Sequence, residues 1–349
     1  MRPERLQELI RGFPECRVAV LGDYFLDKYL EVDPRLAEVS LETGKTAHQV
    51  VSIRCSPGAA GTVVNNLAAL GAGRLYCLGF TGNDGEGFEL RRALQNIGCD
   101  TRGLITLQDR FTPTYLKPRT LDNSDLTGEH ERYDTKNRRP VPPKAQESVL
   151  AHLEGIMREL DAVIVVDQVE EGDCGVVGPR VRGALADLAG RFAQKRFWVD
   201  SRSRIGLFRN VMIKVNVHEA IRQIRPDGAR PAPGGAEREV ELVRQAISEL
   251  RERTGKPVFV TAGKRGIWVA DPEPELVRAV LVPDPVDPTG AGDSATAAAV
   301  LGLCAGASLR EAALLANLAA SITVQLLACT GTARPDQLVP RLEIWRSQG

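Results

Sequence analysis

Seven consecutive residues carry the strongest chemical signal in the chain: Asp287-Pro288-Thr289-Gly290-Ala291-Gly292-Asp293, followed at once by a small-residue run from Ser294 to Cys304. Glycines at 290 and 292 let the backbone turn tightly and leave its N–H groups unshielded, and a helix start adds partial positive charge there. Such a turn suits an anion, including a phosphoryl group in transfer. Asp293, at the helix start, is placed to take a proton from a substrate hydroxyl. The competing reading is structural: glycines make a turn and the aspartate caps a helix.

Composition narrows the setting. The 349 residues hold 45 Lys+Arg against 45 Asp+Glu, a formal net charge of zero, which argues against nucleic acid as partner. At 43% hydrophobic and 26% charged, the chain can bury a large core. Its apolar runs are interrupted well before the roughly 18 residues of a membrane span. The N-terminus mixes charge and leucine at helical spacing, unlike a secretory signal, so a cytoplasmic location is expected. The seven cysteines include no C-x-x-C pair and the four histidines have no metal-ligand spacing, which argues against a disulfide framework and a zinc site.

The elements that must position the motif alternate between short β-branched runs and longer helical segments, the mark of βαβ units and a parallel sheet covered on both faces. Strands are expected at Arg17 to Gly22, Leu75 to Phe80, Ala162 to Val166, Arg196 to Val199, Val211 to Val215 and Pro257 to Thr261. Helices are expected at Ala60 to Leu70 and Asp84 to Ile97. Ala291 to Leu327 reads as two packed helices broken near Gly306, with Ser308 and Glu311 forming a capping box. Two polar segments, about 27–54 and 111–134, break this rhythm and read as strands of a small sheet projecting as a lid. Pro226 to Gly235 reads as a flexible inserted loop, and the whole of 1–349 as one domain.

The string Asp287 to Asp293 resembles the D-T-x-G-A-G-D signature of the ribokinase (PfkB) family of carbohydrate kinases, with Pro288 in place of the usual threonine. Four further elements follow the family's order. Gly22-Asp23-Tyr24-Phe25-Leu26-Asp27 resembles its first strand, with Asp27 in the place of a substrate-contacting aspartate. The segment from Pro57-Gly58-Ala59-Ala60-Gly61-Thr62 to Ala72 is similar to the element that lines the sugar pocket. Asn216-Val217-His218-Glu219 is similar to the N-x-x-E motif, which organises magnesium and phosphate through water. Thr261-Ala262-Gly263-Lys264-Arg265-Gly266 resembles the nucleotide-site turn, and Asn317 falls in the late helix beside the adenine.

The resemblance implies a ribokinase-like three-layer α/β fold with a mostly parallel central sheet, a small β lid, and ATP-dependent phosphorylation of a sugar or sugar phosphate hydroxyl. It implies ATP and Mg2+, in many members K+, and a possible homodimer formed through the lid. Gly290, Ala291, Gly292 and Asp293 take the catalytic place; Asn216, Glu219, Thr261, Gly263, Gly266 and Asn317 the nucleotide side; and Asp27, Gly58, Ala59, Thr62 and Arg132 the sugar side. Lys264 and Arg265 are divided between phosphate contacts and exposed turn charges, while Lys117 and Arg119 read as surface charges of the lid.

Within the family the likeness is greatest to the heptose 7-phosphate kinases, through the N-terminal helix and Glu131-Arg132-Tyr133-Asp134. Bifunctional members of that branch carry a nucleotidyltransferase domain after the kinase, and none is expected within these 349 residues. Departures bear on substrate choice. Ala59 replaces a family glycine and Thr62 an asparagine, so a different hydroxyl pattern is expected. Glu171 stands where a lysine is common, and a carboxylate facing the pocket would repel a phosphorylated substrate. A nucleoside kinase of the same family and a non-catalytic sugar or nucleotide sensor are the alternatives; ADP release over sugars, sugar phosphates and nucleosides separates them.

Overall fold

The five residues Ala162 to Val166 are all apolar because both of their faces are covered. Val163 and Val165 enter one hydrophobic core, while Ala162, Ile164 and Val166 enter the other. A computed structural model describes residues 1–121, 128–225, 235–327 and 330–349. Its main sheet is built on β1 (Arg17–Gly22), β4 (Arg74–Gly82), β5 (Leu104–Leu107), β8 (Ala162–Asp167), β9 (Arg196–Ser201), β10 (Met212–Asn216), β11 (Val258–Thr261), β12 (Gly266–Ala270) and β13 (Pro274–Arg278). The spatial order is β13-β12-β11-β10-β9-β8-β1-β4-β5. Strands from β5 to β11 run parallel, and β12 and β13 extend the edge antiparallel.

Helices cover both faces and give three layers. One core gathers residues of α1 (Pro3–Gly12), α2 (Ala60–Ala69), α8 (Ala291–Cys304) and α9 (Leu309–Thr323). The other gathers α4 (Pro143–Ile156), α5 (Pro179–Arg191), α6 (Val217–Ile224) and α7 (Gly235–Thr254). The small residues of α8 let it lie against α9: a Cβ added at Gly302 would come 2.5 Å from Leu315 Cδ1. Ser308 and Glu311 form the expected capping box at the start of α9.

The polar segments fold as a second sheet, ordered β3-β2-β6-β7, from β2 (Tyr24–Val39), β3 (Thr46–Ala59), β6 (Thr114–Thr120) and β7 (Tyr133–Thr135). It is mixed: β2 pairs antiparallel with β3 but parallel with β6. One residue, Asp23, separates β1 from β2, and its backbone bonds Val166 on one side and Ala60 on the other. Lys117 and Arg119, read from sequence as surface charges, are instead buried, with Lys117 set against Asp27 and Tyr29 of β2. Part of the 111–134 segment, and the loop expected over 226–235 except Gly235, lie outside the described residues. Sequence periodicity missed β5, β12 and β13, which are only four or five residues long.

Candidate active site

The motif turn begins at Gly290, which has φ +75 and stands as N-cap of α8 with no side chain to cap the helix. Ala291 N donates to Pro288 O at 3.1 Å, so that N–H belongs to the turn. Gly292 and Asp293 follow in the first turn, where helix N–H groups lack intrahelical acceptors. Behind the turn Asp287 is buried and accepts from Thr289 N at 2.9 Å. All four residues expected to act chemically, 290 to 293, line one cleft of about 690 Å³ at the carboxyl ends of the strands.

The same cleft brings together every residue assigned to the nucleotide side. Asn216 and Glu219 form a reciprocal cap on α6, with Glu219 N donating to Asn216 Oδ1 at 2.9 Å and Asn216 N to Glu219 Oε2 at 2.8 Å. The helix cap and a place on the cleft wall therefore coexist in this pair. Burial pushes the Glu219 carboxyl up, against the bond from Asn216 N. Gly263 has φ +57, and Gly266 has φ +114 in a space where a Cβ would meet Val277 O at 2.1 Å, so only glycine fits there. Thr261 donates to Val215 O at 3.3 Å, and Asn317 donates to Val277 O at 2.9 Å and Arg278 O at 3.1 Å, bracing the opposite wall. Lys264 is exposed and lies 3.3 Å from Asp284, whereas Arg265 is turned to Glu239.

Two further residues complete the wall near Asp293, and neither was singled out from sequence. Lys214 on β10 and Asp200 on β9 are register partners, buried, and joined as an ion pair. Lys214 Nζ lies 3.0 Å from where a Cβ on Gly292 would stand, directly under the turn. Burial alone would lower its pKa, but the Asp200 and Asp293 carboxylates override this and raise it. Burial pushes Asp293 up to about 7, with Lys214 pulling down and Asp200 and Asp27 pushing further up. The signal in the sequence was a lone lysine inside the apolar run Val211 to Val215.

The residues assigned to the sugar side come from the second sheet and from α2, and none of Asp27, Gly58, Ala59, Thr62 and Arg132 lines the cleft itself. Thr62 is buried at the start of α2, and its Cγ2 would lie 3.6 Å from a Cβ on Gly290. Asp27 is buried, with Oδ1 2.9 Å from Lys117 Nζ, and its Oδ2 would sit 2.7 Å from a Cβ on Gly58. Ala59 adopts φ 52 and ψ −117, a conformation suited to glycine. Arg132 is placed differently from the expectation: its guanidinium is engaged by Asp134 at 2.7 and 2.9 Å, rests on the Tyr115 ring, and does not line the cleft.

Residues 212–336, which include Lys214, Asn216 and the whole motif turn, match the model of the family described as pfkB family carbohydrate kinase. The chain is 29% identical over 313 residues to the bifunctional protein HldE of Wolinella succinogenes, covering 88% of this chain and 60% of that protein. It is 30% identical over 332 residues to the HldE protein of Desulfatibacillum aliphaticivorans, covering 93% of this chain and 62% of that protein. The chain thus spans about 60% of the length of these curated relatives. A solved ribokinase from Cryptococcus neoformans in complex with ADP has the same fold, with TM-score 0.63 at 19% identity, over 95% of this chain and 99% of that one. Among the described residues no helix is long and apolar enough to cross a membrane. The sequence motifs, the sheet order and these likenesses agree: residues 212–336 match the pfkB carbohydrate kinase family, and the chain has a ribokinase-like α/β fold.

Proposed function

We propose that the protein transfers the γ-phosphoryl group of ATP to a hydroxyl of a sugar or sugar phosphate. The observation that carries this reading is Asp293, a half-buried carboxyl with a pKa pushed up to about 7, set beside a glycine turn and the Lys214 ammonium in one cleft. A base of that pKa is matched to neutral pH and can accept the proton of an attacking hydroxyl. The helix start and Lys214 stabilise charge on the phosphoryl group, and Asn317, Thr261, Gly263 and Gly266 hold the nucleotide. Asp27 and Thr62 orient the acceptor from the lid side.

The carboxylates on the cleft wall suit a magnesium ion that arrives with the nucleotide, because this ion binds through one or two carboxylates and keeps several waters. Glu219 and Asn216 would hold it through water, and it would neutralise phosphate charge there. Among the described residues no group of three or more His, Cys, Asp or Glu is arranged to bind a metal alone. Potassium stimulation, implied by the family resemblance, is read from activity in potassium against sodium salts. The lid sheet exposes Leu36, Val39, Leu41, Val51 and Ile53, and a homodimer covering them accounts for such apolar exposure. Light scattering at micromolar concentration tests it, with a monomer mass contradicting it.

The kinase reading is tested by coupled ADP release over free sugars, sugar phosphates and nucleosides. Acceptor-dependent release with a sugar or sugar phosphate supports it; release with nucleosides alone, or ligand-induced thermal shifts without any release, contradicts it.

A further inference from the structure

A second recess opens off the cleft, sharing Gln168 and Arg202 with it, between the lid sheet and the turn over residues 168–176. The turn is fixed from below. Asp23 Oδ2 accepts from Gln168 N at 2.8 Å and Val169 N at 3.0 Å, and its Oδ1 accepts from Val176 N at 2.7 Å. Arg204 donates to Val169 O at 2.6 and 2.8 Å, and Arg110 to Cys174 O at 2.8 Å. The backbone of this turn is therefore held in place before any ligand arrives.

The charges of the recess are mutually cancelled. Glu171 stands 3.4 Å from Lys136, which follows β7, and Glu170 stands 3.5 Å from Arg202. Asp23, the remaining carboxyl, is committed to the turn's N–H groups. The Glu171 carboxyl is held below its ordinary range by its own backbone N–H first and then by Lys136 and Arg138, so it is ionised at neutral pH. No uncompensated cation among the described lining residues faces the recess. The Asn137 amide is held by the Phe111 backbone, donating to Phe111 O at 2.8 Å and accepting from Phe111 N at 3.0 Å, so what remains for a ligand is the amide of Gln168 and the edge-to-face rings of Phe25 and Tyr115, 5.3 Å apart. Amides give both donors and acceptors to hydroxyls, and ring faces pack against the C–H faces of a sugar.

We infer that this recess takes an uncharged, hydroxyl-bearing tail of the acceptor, and that Glu171 is a specificity-determining residue acting against an acceptor that carries a phosphate there. The inference rests on the kinase reading above and narrows its acceptor to unphosphorylated sugars. A phosphate dianion entering the recess would have to break the Lys136–Glu171 pair and sit beside a fixed carboxylate, a repulsion of about tenfold or more in affinity.

The test compares kcat/KM for matched acceptors: ribose and ribose 5-phosphate, fructose and fructose 6-phosphate, and glycero-manno-heptose and its 7-phosphate. The wild-type protein is expected to favour the free member of the best pair by at least about tenfold. Glu171→Lys is expected to shift that ratio toward the phosphorylated member by about tenfold or more, and Glu171→Gln by less. A role limited to holding the fold would lower both members alike. Wild-type preference for a sugar phosphate, or an unchanged ratio in Glu171→Lys, overturns the inference while leaving the kinase reading intact. Absence of turnover with every acceptor overturns the kinase reading, and the inference with it.

Discussion

Lys214 faces Asp200 across adjacent parallel strands, and the same ammonium lies under Gly292, 3.0 Å from where a Cβ would stand. One buried cation thus meets the carboxylate that fixes it and the turn that opens α8. Its position is set by strand register, so it needs no loop to close before it is in place. A preorganised charge of this kind stabilises developing negative charge without reorganisation.

Replacing Lys214 by Met is expected to lower kcat by about 10²–10³, the size found when one donor to a developing oxyanion is removed. Asp293 would also lose the cation that pulls its pKa down, so the acidic limb of activity should move to higher pH. The pH–rate profile separates this from simple loss of fold: a limb unchanged in position would mean that Lys214 does not face Asp293.

In the unsubstituted protein the limb itself should fall near pH 7, since a base must be ionised and Asp293 is pushed up to about 7. The stability linkage has the opposite sign. The folded state holds this proton more tightly than the ordinary value of 3.8 allows, so the contribution is full below about pH 4 and is lost as pH rises to about 7. Asp293→Asn has no such proton to lose and should gain stability relative to wild type across that window, by a few kcal/mol at most, about 1.4 kcal/mol per unit. Urea unfolding at pH 5 and pH 8 measures it; equal differences at the two pH values would contradict the burial argument.

Ala59 sits at φ 52 and ψ −117, where a Cβ is strained. Ala59→Gly should therefore stabilise by about 1 kcal/mol, the relief of strain exceeding the added unfolded-state entropy. Chemical denaturation reads this directly, and a loss of stability would show that the neighbouring turn accommodates the methyl group.

Lys117→Met leaves Asp27 buried without its partner. Breaking such a pair costs about 3–5 kcal/mol, and with Asp27 on the proposed acceptor side, KM for the sugar should rise while KM for ATP stays within about twofold. A rise in KM for ATP alone would place the Asp27–Lys117 pair on the wrong side of the cleft.

These contacts mark the boundary of what the sequence disclosed. Strands buried on both faces, the α9 capping box and the glycine turn were legible because each depends on neighbours in the chain. Lys214 with Asp200, and Lys117 with Asp27, depend on how separate strands align, which one sequence does not state. Arg132 misled for a different reason: it reads as a free cation, but Asp134 two residues on neutralises it along its own strand segment. Glu171 was legible as an odd charge, yet its facing Lys136 emerged only when the turn was placed against the lid.

The most direct measurement is single-turnover transfer from γ-labelled ATP to the acceptor sugar, comparing wild type with Asp293→Asn. The expected result is acceptor-dependent formation of labelled sugar phosphate by wild type, slowed in the variant by about 10²–10⁴ with ATP affinity nearly unchanged. Transfer at near wild-type rate by Asp293→Asn would contradict the assignment of Asp293 as the base.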